Sequence, residues 1–315
     1  MIGLRSRAKP RIPPVVRRRS LTVCVAAFAE KAKAIVCIAD RAITYPSYGS
    51  PVQSDSAMKK IMDVGDTRWC ALFSGDSSFA QQVVARLAHK AKGGARDFGW
   101  METNAELAYQ ECYEEFVENQ VLRPFLLKRD TFISRSKELQ PLDAQIVSSV
   151  NAKLGEFEFA CQLMFCGFDS VGPHIFTVVE PGAAQWNDLE GYNAIGIGRE
   201  AATSRIAFLE IESEDSLPSV FYDLFDAKVR SEVIQGVGWE WDGRVLVNGK
   251  PPIEIPEPTK KLIDQMWMVH NRGPYYPEMD EDDIPPRNYK SKMKKFCDEC
   301  LSTSPAPSPP SPPQS

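Results

Sequence analysis

Two short apolar runs, residues 21–29 and 34–40, stand only four residues apart, and this spacing constrains the chain more than any other feature. The intervening Glu30-Lys31-Ala32-Lys33 has room only for a tight polar turn, so the runs must return on each other as an antiparallel hairpin. Neither run alternates apolar with polar residues: TVCVAAFA and AIVCIAD are apolar at odd and even positions alike. A strand of that kind is buried on both faces. The hairpin therefore belongs in the middle of a layered fold.

The rest of the pattern supplies the layers. Residues 57–64 and 69–74 read as a second pair of strands. Gly75-Asp76-Ser77-Ser78 then opens a helix to about residue 92, with Phe79, Val83, Val84 and Leu87 at helical spacing. Residues 103–125 and 141–154 read as helices. Strands return at 157–168, 174–180 and 192–197, helices at 200–211 and 217–233, and strands again at 244–247 and 253–255. Blocks of strands followed by blocks of helices imply antiparallel sheets with helices packed outside. No GxGxxG or P-loop opens a helix after a strand, which gives a nucleotide-binding fold no support.

Composition separates the flanks from this core. Residues 1–20 hold seven basic residues, three prolines and no acid, and 251–315 carry 14 of the 24 prolines and end in SPAPSPPSPPQS. Both compositions favour extended, solvated chain. The expected organisation is a basic disordered extension over 1–20, one domain over 21–250, and a Pro-rich, largely disordered tail over 251–315. With 315 residues, 43% hydrophobic, 25% charged and a net charge of −5, the chain gives no reason to expect nucleic acid or an anionic membrane as a partner. It lacks an apolar run of about 18 residues, so no membrane span is expected, and a cytoplasmic location is. Most of the eight cysteines lie singly in apolar runs and read as buried thiols. Cys297 and Cys300 form one CxxC pair with only His270 nearby, short of the four ligands of a structural zinc site, so no metal or cofactor is expected.

Particular fragments carry the chemistry. Thr22-Val23-Cys24-Val25-Ala26 opens the first strand, and the return strand ends in Ala39-Asp40-Arg41-Ala42-Ile43-Thr44. Met58-Lys59-Lys60-Ile61 begins the next strand and leads to Leu72-Phe73-Ser74-Gly75-Asp76. Gly167-Phe168-Asp169, Ala194-Ile195-Gly196-Ile197-Gly198, Ala227-Lys228 and Gly236-Val237-Gly238 follow. In this order the fragments resemble proteasome β-subunits, HslV-like proteins and bacterial proteasome-like proteins, most of all bacterial chains beginning Met-Thr-x-Cys-Val-Ala. The resemblance spans about two-thirds of the chain. It implies an N-terminal-nucleophile hydrolase: an α+β fold, a four-layer αββα sandwich of two antiparallel sheets, a peptide or amide substrate, and a homo-oligomer.

By that resemblance Thr22 is the nucleophile and its own α-amine the base. A free α-amine titrates at about 7.7–8.0 and can take the hydroxyl proton without a histidine. Lys60 lies beside Thr22 and lowers its proton affinity, Asp40 keeps that lysine charged and oriented, and the Gly75 N–H donates to the oxyanion. Strand alternation separately favours Lys60 over Lys59. Met58, Lys60, Met62 and Val64 share one face, and Lys59, Ile61 and Asp63 the other. A lysine inside an apolar stripe needs a partner. Two departures stand out. Ile197 occupies the place of a serine between the glycines, and the downstream acidic partner has only regional candidates, Glu232 and Asp242. Read singly, Thr22 is a packing residue of a strand, Asp40 a turn cap and Lys60 a lysine reaching for solvent. On that reading the chain is an inactive structural or assembly subunit.

Residues 1–21 precede Thr22, and an acylated nitrogen is no base. Cleavage between Leu21 and Thr22 removes this obstacle, as does translation from Leu21 with loss of the initiator methionine. A further alternative is Ser20 as nucleophile after cleavage behind Arg19. Arg17–Arg19 followed by the apolar run and Ala27-Phe28-Ala29 also has the outline of a secretory leader, but cleavage there deletes the first strand. The Arg-rich, acid-poor start also matches an organelle transit peptide. The expectation carried forward is exposure of Thr22.

Overall fold

The computed structural model describes residues 22–45, 52–54, 58–65, 67–92, 97–135, 144–157, 161–271 and 288–302. Its centre is the expected hairpin. β1 (Val23–Ala29) and β2 (Ala34–Asp40) pair antiparallel, with Val25 opposite Ile38 and Ala27 opposite Val36, and every residue of both strands is buried. β3 (Ile43–Tyr45) and β4 (Val52–Ser54) form a separate short pair beyond β2.

The second sheet is built from β5 (Ile61–Asp63), β6 (Trp69–Ser74), β7 (Gln162–Phe168), β8 (Pro173–Val179) and β9 (Ala183–Trp186), antiparallel and in chain order. The first sheet adds β10 (Tyr192–Gly196) beside β1, then β11 (Trp241–Val247) beside β2 and β12 (Ile253–Glu254) at its edge. Its order is β10-β1-β2-β11-β12.

Alternation along each strand sorts the side chains into layers. Cys24, Ala26, Phe28, Ile35 and Cys37 meet Cys70, Leu72, Met164 and Cys166 between the sheets. Val23, Val25, Ala27, Val36 and Ile38 face outward under residues of α5 (Arg199–Phe208) and α6 (Leu217–Ser231). On the far side Trp69, Ala71, Phe73, Leu163 and Phe165 lie under α1 (Ser77–Lys90) and α2 (Phe98–Val117). The order helices, sheet, sheet, helices is a four-layer αββα sandwich. Continuous apolar runs in the central strands follow from this, because neither face of those strands meets water. α3 (Arg129–Arg135) and α4 (Ala144–Glu156) stand to one side, where Val150 joins a small cluster with Val121, Leu122 and Leu127.

The C-terminal expectation needs correction. Within 251–315, α7 (Glu257–His270) and α8 (Tyr289–Leu301) pack against α6 and bury Leu262, Ile263, Trp267, Met293, Cys297 and Cys300 in the same core as the first sheet. Proline content concealed them. Pro256 and Pro258 sit at the start of α7, where the missing N–H costs nothing, and the apolar spacing of Leu262, Ile263, Met266 and Trp267 is helical. Cys297 and Cys300 are three apart on a buried helical face and act as core residues. Residues 1–20, with Ser20, and 303–315 lie outside the described residues. The helix expected over 103–125 begins earlier, at Phe98, and gives way at Glu118 to a π-turn and then a 3₁₀ turn at Pro124. β9 left no signal because Ala183, Gln185 and Trp186 are exposed on a sheet edge.

Candidate active site

Thr22 immediately precedes β1, and its carbonyl accepts the Gly198 N–H at 3.1 Å. β10 passes close beside it. Gly196 has φ +96°, and a Cβ there would stand 2.3 Å from the Thr22 carbonyl oxygen. Only glycine permits both the conformation and the approach. The hairpin register, Cys24 opposite Ala39, brings Asp40 at the end of β2 to the same end. Lys60 comes from the facing sheet, one residue ahead of β5, with its carbonyl accepting the Phe73 N–H at 3.2 Å. Thr22, Asp40 and Lys60 are 1%, 0% and 4% exposed.

The three side chains form one hydrogen-bonded group. Thr22 Oγ1 donates to Asp40 Oδ1, and Lys60 Nζ donates to Thr22 Oγ1. Lys60 Nζ also reaches Asp40 Oδ1 at 3.0 Å. The backbone completes the carboxylate's shell: Val23 N–H donates to Oδ1 at 3.0 Å, while Ala42 and Gly238 donate to Oδ2 at 3.3 and 3.0 Å. Burying a carboxylate and an ammonium costs several kcal/mol each unless both are paired and hydrogen-bonded, and here they are. Lys59 turns away to Glu254, with both side chains 54% exposed. An ammonium on Oγ1 can stabilise negative charge that develops there, and Asp40 Oδ1 bonds both Lys60 Nζ and Thr22 Oγ1.

Gly75 sits between β6 and α1 with φ +113°, a turn that suits glycine, and Asp76 caps the helix by accepting the Phe79 N–H at 3.0 Å. Cys24 Sγ donates to the Phe73 carbonyl at 3.3 Å, which draws the end of β6, two residues from Gly75, to the Thr22 end of β1. Cys24 is no rival nucleophile. Burial drives its thiol well above the ordinary value, Lys60 lowering it and Asp40 raising it by smaller amounts.

Of the regional acidic candidates, Glu232 is engaged by Lys228, and Asp242 by Lys260 at 3.3 Å and Arg41 at 3.5 Å. What the Asp40 group draws from that region is the backbone N–H of Gly238. Sequence reasoning noticed the fragment 236–238 but gave it no role, since a main-chain donor has no residue signature. A Cβ at Gly238 would stand 2.5 Å from Ala42 Cβ, so the close approach itself demands glycine. Ile197 is half-buried and packs against the core under α5 and α6.

The chain matches no family model and no curated protein. Among solved structures it is similar to eukaryotic HslV from Trypanosoma brucei. The likeness has 15% identity and a TM-score of 0.44, and covers 72% of this chain and 100% of that one. No helix among the described residues is long and apolar enough to cross a membrane.

Proposed function

We propose that this chain is a proteasome-type N-terminal-nucleophile hydrolase of peptide or amide bonds, cytoplasmic and homo-oligomeric, that becomes active in proteolysis once Thr22 has a free α-amine. The observation that supports this is the buried Thr22 hydroxyl with Lys60 Nζ on its oxygen and Asp40 accepting from it. A packing threonine has no need of a buried ammonium.

In the proposed reaction the α-amine accepts the Thr22 hydroxyl proton as Oγ1 attacks the substrate carbonyl carbon. Lys60 stabilises the charge on Oγ1, and the Gly75 N–H donates to the oxyanion of the tetrahedral intermediate. Collapse breaks the C–N bond, the leaving amine takes the proton, and an ester on Thr22 remains. Water, deprotonated by the same amine, hydrolyses that ester. While Leu21 acylates Thr22 the base is missing.

A second reading, an inactive structural or assembly subunit, is favoured by Ile197, which puts an alkyl chain where the resembling β-subunits carry a hydroxyl. The test is residues 22–315 released from a cleavable leader, with the terminus checked by mass, against Thr22→Ala and the uncut chain on a peptide panel. The free form is expected to exceed both by at least about 10²-fold, the lower range of general-base assistance. Equal rates for the free form and folded Thr22→Ala select the inactive subunit.

A further inference from the structure

Lys228, near the end of α6, has no exposed surface, and the proposed chemistry gives it nothing to do. A fully buried lysine is rare and costly, so its partners indicate what it is for. Its Nζ donates to the Glu232 carboxylate and, at 2.6 Å, to the carbonyl of Trp239. Trp239 directly follows Gly238, whose N–H reaches Asp40 Oδ2 at 3.0 Å.

In the turn that carries Gly238, residues 232–240 between α6 and β11, Val237 is buried in the core and its N–H donates to the Ile234 carbonyl at 3.1 Å, but the stretch beyond it has fewer side-chain anchors. Gly236 and Gly238 have no side chains, and Trp239 is 65% exposed. On its far side the Glu240 carbonyl accepts the Arg41 N–H at 2.9 Å. The two oxygens of Asp40 divide the work accordingly. Oδ1 meets Thr22 and Lys60, while Oδ2 is tied by Ala42 and Gly238.

We infer that Lys228 is a positioning residue for the Thr22 site: it pins the Trp239 carbonyl and thereby aims the Gly238 N–H at Asp40. This deepens the hydrolase reading and rests on it for its catalytic consequence. Release of the pin frees the Gly238 N–H from Oδ2 and so loosens the placement of Oδ1 against Thr22 and Lys60.

The experiment uses the chain with Thr22 released, as wild type, Lys228→Met and the surface control Lys294→Met. Two readouts are taken: amide hydrogen exchange of residues 233–240, and the pH-dependent rate at which a small β-lactone acylates Thr22, followed by intact mass. In Lys228→Met the turn is expected to exchange about tenfold faster and Thr22 to acylate about tenfold more slowly, the worth of one net hydrogen bond. Exchange in the β1–β2 hairpin stays as in wild type. Lys294→Met behaves as wild type. A turn as protected as in wild type, or an unchanged acylation profile, overturns the inference. If Lys228→Met does not fold, Glu232→Gln carries the same test with smaller effects of the same sign, and no effect there also overturns it. If no form with a free Thr22 reacts, the hydrolase reading falls, and the exchange data alone judge the pin.

Discussion

Asp40 and Asp169 each collect backbone donors and a basic side chain, yet they organise different kinds of structure. Asp169, just beyond β7, accepts from Val171 at 2.6 Å and Gly172 at 3.0 Å in its own turn, and from Phe98 at 3.2 Å at the start of α2. His174 Nε2 lies 3.1 Å away, and its ring stacks on Phe98 at 4.4 Å and Trp69 at 6.0 Å between centroids. Burial opposes ionisation of Asp169, but these donors together bring its pKa down to about 2. Its partners are mostly local, and they fasten a turn to a helix.

Asp40 draws on chain around residues 22, 42, 60 and 238, and one of its donors is a hydroxyl that an ammonium also touches. Both aspartates belong to fragments that carried the family resemblance. A fragment shared with a family can therefore mark scaffold as readily as chemistry. The distinguishing sign is a buried hydroxyl, shared with an ammonium, inside the donor set.

The largest test of this contrast is Asp40→Asn, which leaves Lys60 buried without its counter-charge. A loss of about 3–5 kcal/mol in urea denaturation is expected, the cost of breaking a buried pair, together with loss of Thr22 acylation. Asp169→Asn is expected to destabilise without abolishing acylation. Loss of acylation in both variants would erase the distinction.

His174 sharpens the same comparison through pH. Burial opposes its charged form, but hydrogen bonds and charges from Asp188 and Asp169 outweigh that and raise its pKa. A raised pKa means the charged imidazole stabilises the fold fully below about 6.5, its unfolded value, and that this is lost as pH rises through the folded value. His174→Gln is therefore expected to cost about 1.5–3 kcal/mol at pH 5.5 and progressively less toward pH 9, with Thr22 acylation unaffected. A gap that widens with pH would show that the neutral ring is the favoured form.

The smallest effect belongs to Lys59. Its pair with Glu254 is half exposed, so Lys59→Ala is expected to cost under about 1 kcal/mol and to leave acylation unchanged. A larger effect would mean that adjacent lysines are not divided between surface and site.

Much of the architecture was legible in local patterns. Runs apolar on both faces announced the β1–β2 hairpin, and blocks of strands and helices announced antiparallel sheets. Period-two alternation separated Lys60 from Lys59. Composition misled at the C-terminal end, where the proline count outweighed the helical spacing of Leu262, Ile263, Met266 and Trp267. Edge strand β9 was missed because exposed strands need no apolar run.

By itself, then, the sequence determined strand and helix periodicity, the both-face burial of the central hairpin, and a set of residues whose roles rest on resemblance. These are local properties, written in the spacing of apolar side chains. Only the tertiary structure decided that Thr22 before β1, Asp40 at the end of β2 and Lys60 from the opposite sheet share one hydrogen-bonded group, and that Gly238 completes it. That convergence depends on hairpin register and on how two sheets stack. The donors that finish it are main-chain N–H groups, which every residue but proline carries and no sequence pattern singles out.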